Sequence, residues 1–83
     1  MTDEDAILKR IIKAYLHQKG KSTAQEIAIY IQEVGFGLKK QYTKEAITKK
    51  IKYWRSNEPH WLSIRWERNE RSILVFYLRG VKQ

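Results

Sequence analysis

Apolar positions follow a helical period along much of this chain and a period of two near its end. Ile7, Leu8, Ile11, Ile12, Tyr15 and Leu16 fall at i, i+1, i+4, i+5, i+8 and i+9, which predicts a helix from about Asp3 to His17. Thr2 and Asp5 have the spacing of a capping box, and Asp3, Glu4 and Asp5 suit the positive end of the helix dipole. Gly20 can end this helix. Ala24, Ile27, Ala28, Ile31 and Val34 form a second stripe, behind a capping box of Thr23 and Glu26, and Gly35 and Gly37 break it. Ile47, Ile51 and Trp54 form a third, predicting a helix from Lys44 to Ser56 with Thr43 as N-cap and Asn57 and Pro59 as its stop. An earlier turn over Leu38 to Tyr42 is also open.

The period then changes. WLSIRWE alternates, RNER supplies a turn, and SILVFYLR is rich in β-branched and aromatic residues. A turn centred on Asn69 and Glu70 pairs Trp66 with Ile73, Ile64 with Val75 and Leu62 with Tyr77, so that one apolar face forms. That face must cover the helices, because an isolated hairpin is marginal in water. The expected architecture is α+β: a three-helix core with a C-terminal β-hairpin, in a single domain over residues 1–83.

Charge sharpens the picture. The chain of 83 residues has 17 Lys and Arg against 9 Asp and Glu, a formal net charge of +8. Residues 1–34 hold five of each sign, whereas residues 35–83 hold twelve basic and four acidic residues, so the whole excess lies in the second part. Such asymmetry points to a polyanion partner, with an ordinary solvated basic surface as the plain alternative. There are no cysteines, which excludes disulfides and thiolate metal sites. No run of about 18 apolar residues suggests a membrane span, and the acidic start MTDEDAILKR lacks the pattern of a secretory signal. The expected location is cytoplasmic, on the nucleoid in a prokaryote.

The segment KSTAQEIAIYI, a glycine break, TKEAITKKIKYWR and a basic-tipped hairpin together resemble winged helix-turn-helix DNA-binding domains, over nearly the whole chain. Within that resemblance Glu26-Ile27-Ala28 matches the start of the family's second helix. It extends to small regulators of archaea and of archaeal mobile elements. One departure is the connection from Val34 to Thr43, longer than a compact helix-turn-helix turn. The resemblance implies that the third helix enters the major groove of double-stranded DNA and that the wing, tipped by Arg68–Arg71, meets the backbone or a neighbouring groove.

The residues support the same reading independently. Opposite the stripe of Ile47, Ile51 and Trp54 lie Glu45, Lys49 and Lys52, flanked by Lys44, Thr48 and Arg55, with Thr43 at the helix start. The lysines suit phosphates, while Thr48 and Glu45 are short enough to test base edges, Glu by accepting from cytosine N4. On the hairpin Arg65, Arg68, Asn69 and Arg71 suit phosphate or minor-groove contact, and the helix start at Ser22 and Thr23 suits a phosphate. A sequence-neutral architectural or RNA-binding role and a protein-interaction adaptor remain alternatives to a transcriptional regulator. Trp54 and Trp66 fit core positions better than base stacking. His17 and His60 stand apart from other candidate ligands, and no nucleophile, paired-carboxylate or phosphate-loop motif occurs, so no enzyme activity, cofactor, metal or small-molecule ligand is expected. The hairpin's second face would carry Trp61, Leu74, Phe76 and Leu78. Left uncovered, that face, or the outer part of the first helix with its wide apolar stripe, predicts a homodimer interface.

Overall fold

A computed structural model describes residues 4–34, 38, 40–61 and 63–79. Thr2, Asp3, Gly35, Gly37 and Leu62, for which the sequence makes predictions, lie outside the described residues. The order is α1 (Glu4–Lys19), β1 (Ser22–Thr23), α2 (Ala24–Val34), α3 (Lys44–Asn57), a 3-10 turn (Pro59–Trp61), β2 (Ile64–Arg68) and β3 (Leu74–Leu78). Three helices and a three-stranded antiparallel sheet of order β1-β3-β2 make a small α+β domain. No helix among the described residues is long and apolar enough to cross a membrane.

The helix boundaries follow from local chemistry. Gly20 takes a left-handed φ of 81°, and its N–H donates to the Leu16 carbonyl at 2.9 Å, closing α1 with a glycine cap. Thr23 and Glu26 form the reciprocal capping box of α2: the Glu26 carboxylate accepts from Thr23 N–H at 2.9 Å, and Thr23 Oγ1 accepts from Glu26 N–H at 3.1 Å. Thr43 Oγ1 accepts from Ala46 N–H at 3.2 Å to start α3, with no earlier helical turn in the described part of the connection.

Each apolar stripe points inward. Leu8, Ile12 and Leu16 of α1, Ile27 and Ile31 of α2, and Ile47, Ile51 and Trp54 of α3 are buried in one cluster. Three members were not placed there by periodicity: Tyr42, Trp61 and, through the hairpin register, Phe76. Tyr42 immediately precedes the α3 cap and is buried, with its hydroxyl donating to the Glu4 carboxylate at 2.7 Å. Tyr42 and Ile47 occupy the N′ and N4 positions of a hydrophobic staple, a signal that was available in the sequence. Trp61 is fully buried against Trp54, ring centroids 4.8 Å apart, because the 3-10 turn after Pro59 redirects the chain before the strand begins.

The hairpin corrects the predicted register. Trp66 pairs with Phe76, Ile64 with Leu78 and Arg68 with Leu74, three residues away from the expected alignment. An odd shift exchanges the two faces of a strand. Leu74, Phe76 and Leu78 therefore turn toward the helices, and Ile73 is left 45% exposed. The predicted homodimer surface of Trp61, Leu74, Phe76 and Leu78 is thus internal: Trp61 and Phe76 are fully buried, and Leu74 and Leu78 pack on the same core. The ground for expecting association through that face is gone. The cause is loop chemistry. Asn69 opens the loop 69–73, where the sequence suggested its centre, and its Oδ1 accepts from the N–H groups of Arg71 (2.9 Å) and Ile73 (3.0 Å). Asn69→Ala should therefore lower stability by about 1 kcal/mol in urea unfolding, the usual scale for losing such bonds at a surface.

β1, a strand that periodicity did not predict, pairs with the other edge of β3, matching Ser22 with Phe76 and Thr23 with Val75. With only two residues, it carries no period to detect.

Candidate nucleic-acid interface

The outer face of α3, the start of α2 and the beginning of β3 enclose an open groove of about 550 Å³. Lys44, Glu45, Thr48 and Lys49 form one wall, Ile73 and Leu74 another, and Thr23 to Gln25 the end. A second hollow of about 350 Å³ lies between α2 and the start of α3, lined in part by Ile29, Gln32 and Gln41. Gln25, Ile73 and Leu74 were missing from the sequence-predicted binding set. Residues that border a groove only through tertiary packing leave no local signature.

The predicted residues divide by what their polar atoms already do. Lys44, Glu45, Lys49 and Arg71 are exposed, and their side chains make no hydrogen bond or ion pair among the described residues. Lys52 and Arg55 face the hairpin: Lys52 Nζ lies 6.0 Å and the Arg55 guanidinium carbon 5.3 Å from the Trp66 ring centroid. Arg55 Nε also donates to the Ile64 carbonyl at 3.2 Å, and Arg65 Nη1 to the same oxygen at 3.1 Å. The Lys52 and Arg55 contacts fasten α3 to β2, while the Arg65 bond stays within β2. Thr48 spends its hydroxyl proton on the Lys44 carbonyl at 2.9 Å. Arg68 Nη1 donates to the Ser72 carbonyl at 2.7 Å across the loop, and Asn69 holds that loop from inside. Ser72 has a left-handed φ of 60°, uncommon outside glycine, which these bonds help maintain.

The helix start at β1 and α2 differs from expectation. Ser22 is buried, and its hydroxyl donates to the Gly20 carbonyl at 3.1 Å, so it faces no ligand. Thr23 is committed to its capping box, whose Glu26 carboxylate occupies the place an anion would take.

Ion pairs occupy lysines that do not line the groove. Asp5 of α1 accepts from Lys50 at 2.9 Å, and Glu58 pairs with Lys9 at 2.6 Å. The acidic start of α1 thus neutralises a lysine on the shoulder of α3 and leaves Lys44 and Lys49 unpaired among the described residues on its outer face. Glu67 lies 2.5 Å from Lys21 and raises the lysine pKa above its usual value, first by hydrogen bonding and then by charge attraction. The pair's contribution is present at neutral pH and is lost as pH rises through the shifted lysine pKa; both groups are exposed, so solvent screens it.

Fold and surface together define a small α+β domain with a cation-lined groove between a helix and a hairpin. No protein-family model, curated protein or solved structure matches the chain.

Proposed function

We propose that this chain is a winged helix-turn-helix protein that binds double-stranded DNA sequence-specifically and acts as a transcriptional regulator. In this reading α3 enters the major groove and the β2–β3 wing lies along the backbone or the adjacent minor groove. One observation carries it: Lys49 and Lys52 are exposed on the face of α3 opposite its buried stripe, and Lys44 and Lys49 line a groove that the wing walls. Arg71 adds an exposed cation at the wing tip. Lysines and arginines so placed neutralise phosphates and release their counterions, which supplies most of the affinity. The element order and the pairing of β1 onto the hairpin are compatible with the layout.

A salt titration tests the proposal. With labelled duplexes of random and of genomic sequence, fluorescence anisotropy should show log K falling linearly with log salt, by about 0.9 for each phosphate neutralised. Three to five contacts give a slope of about −3 to −5 on that scale. Binding that is absent at low salt, or indifferent to salt, rules the proposal out.

A further inference from the structure

We infer that Glu45 sets base preference at the proposed duplex interface, accepting from the N4 amino group of a cytosine and disfavouring sites that lack one. This rests on the duplex reading above. Glu45 is the second residue of α3 after the Thr43 cap. Together with Lys44 and Gln25 it lines both the 550 Å³ groove and the 350 Å³ hollow. It therefore stands on the ridge between two concavities, the part of the helix that projects into a partner.

Its carboxylate is uncommitted. Asp5, Glu58 and Glu67 each meet a lysine, and Glu26 meets a backbone N–H; Glu33 and Glu70 are uncommitted like Glu45 among the described residues, but neither lines the groove or the hollow. Glu45 makes no hydrogen bond or ion pair among the described residues, although Lys44 is adjacent and Lys49 lies one turn on. A carboxylate only accepts hydrogen bonds, and on a cationic surface that approaches a polyanion it repels every phosphate. Donors in the major groove offset that repulsion. Two bases present an amino group there, adenine and cytosine. The adenine amino group sits beside the N7 acceptor, which repels a carboxylate oxygen, whereas the cytosine amino group has no such neighbour. Lys49, at i+4 from Glu45, adds a donor suited to guanine O6 and N7. Glu45 and Lys49 together are thus complementary to a C·G pair. Thr48 has only its oxygen lone pairs left for a partner, since its hydroxyl proton is held by the Lys44 carbonyl, and a neutral hydroxyl is a weaker acceptor than a carboxylate.

The competing account is that Glu45 merely complements the positive end of the α3 dipole, which predicts no base preference. Selection from a random duplex pool by the wild type and by Glu45→Gln separates the two. The wild type should enrich cytosine at one position, with about 5- to 150-fold weaker binding when that base is changed in direct titration, the usual range for a good base contact. Glu45→Gln should lose the preference at that position, or move it toward adenine, which an amide can pair with, while binding unselected duplex as tightly or more tightly. Thermal unfolding confirms that the variant is folded, and Glu45→Ala repeats the measurement without a new polar group. If the variants tighten all duplexes by one common factor, keep the cytosine preference, or if the wild type selects no cytosine, the inference is overturned while duplex binding stands. If the wild type binds no duplex at all, both readings fall.

Discussion

Trp54→Ala should destabilise the domain by about 3–5 kcal/mol, the range for removing a buried aromatic. Trp54 is 2% exposed and is the side chain on which several elements meet. Its ring lies 4.8 Å from that of Trp61, which anchors the entry to the hairpin. Lys9 of α1 and Lys50 of α3 also lie over it, at 5.4 and 5.8 Å. Truncation leaves a cavity in contact with α1, α3 and the chain leading into β2, and a domain of this size has little reserve. At roughly 4–8 °C of melting temperature per kcal/mol, the loss should exceed about 10 °C in a thermal scan followed by circular dichroism. A melting temperature within a few degrees of wild type would mean that the Trp54–Trp61 contact does not hold the domain together.

The double change Lys44→Ala and Lys49→Ala should do the reverse, weakening duplex binding tenfold or more near 100 mM salt while leaving the fold intact. Both ammonium groups are exposed, and neither is paired among the described residues, so their removal strands no buried partner. If both meet phosphates, the salt slope should fall by about two units. Lys50 serves as the control on the same helix, because Asp5 already holds it at 2.9 Å. Lys50→Ala should change the slope by less than half a unit, since its charge is engaged within the protein. An equal loss from Lys50→Ala would mean that affinity follows total charge, whatever its position.

The helices were legible because their signals are local. Thr23 with Glu26, Thr43 with Ala46, and the stripes through Leu8, Ile27 and Ile47 all lie within a few residues of one another, and each proved to do what its spacing implied. The outward face of α3 followed from the same arithmetic, since placing Ile47, Ile51 and Trp54 inside sets Glu45 and Lys49 outside. Thr48, Arg55, Arg65 and Arg68 could not be sorted in this way. Whether a polar side chain is free or already bonded depends on what other segments bring within reach.

The hairpin shows where local reading ends. LVFYL is apolar on both faces, so alternation marks a strand without saying which face is buried. The Asn69 side chain, by accepting two backbone N–H groups, sets the start of the loop and so the register. The pairing of β1 with β3 and the burial of Phe76 agree with that choice. An alternating pattern read without the loop geometry left a second apolar face, and that face is the interior of the sheet. By itself, then, the sequence determined the three helices, the caps at Gly20, Thr23 and Thr43, the buried stripes and the concentration of positive charge after residue 34, because periodicity, capping and charge are properties of neighbouring residues. Only the tertiary structure decided the strand register, the burial of Trp61, and which cations remain uncommitted beside the groove, because each of these is a competition among segments far apart in the chain.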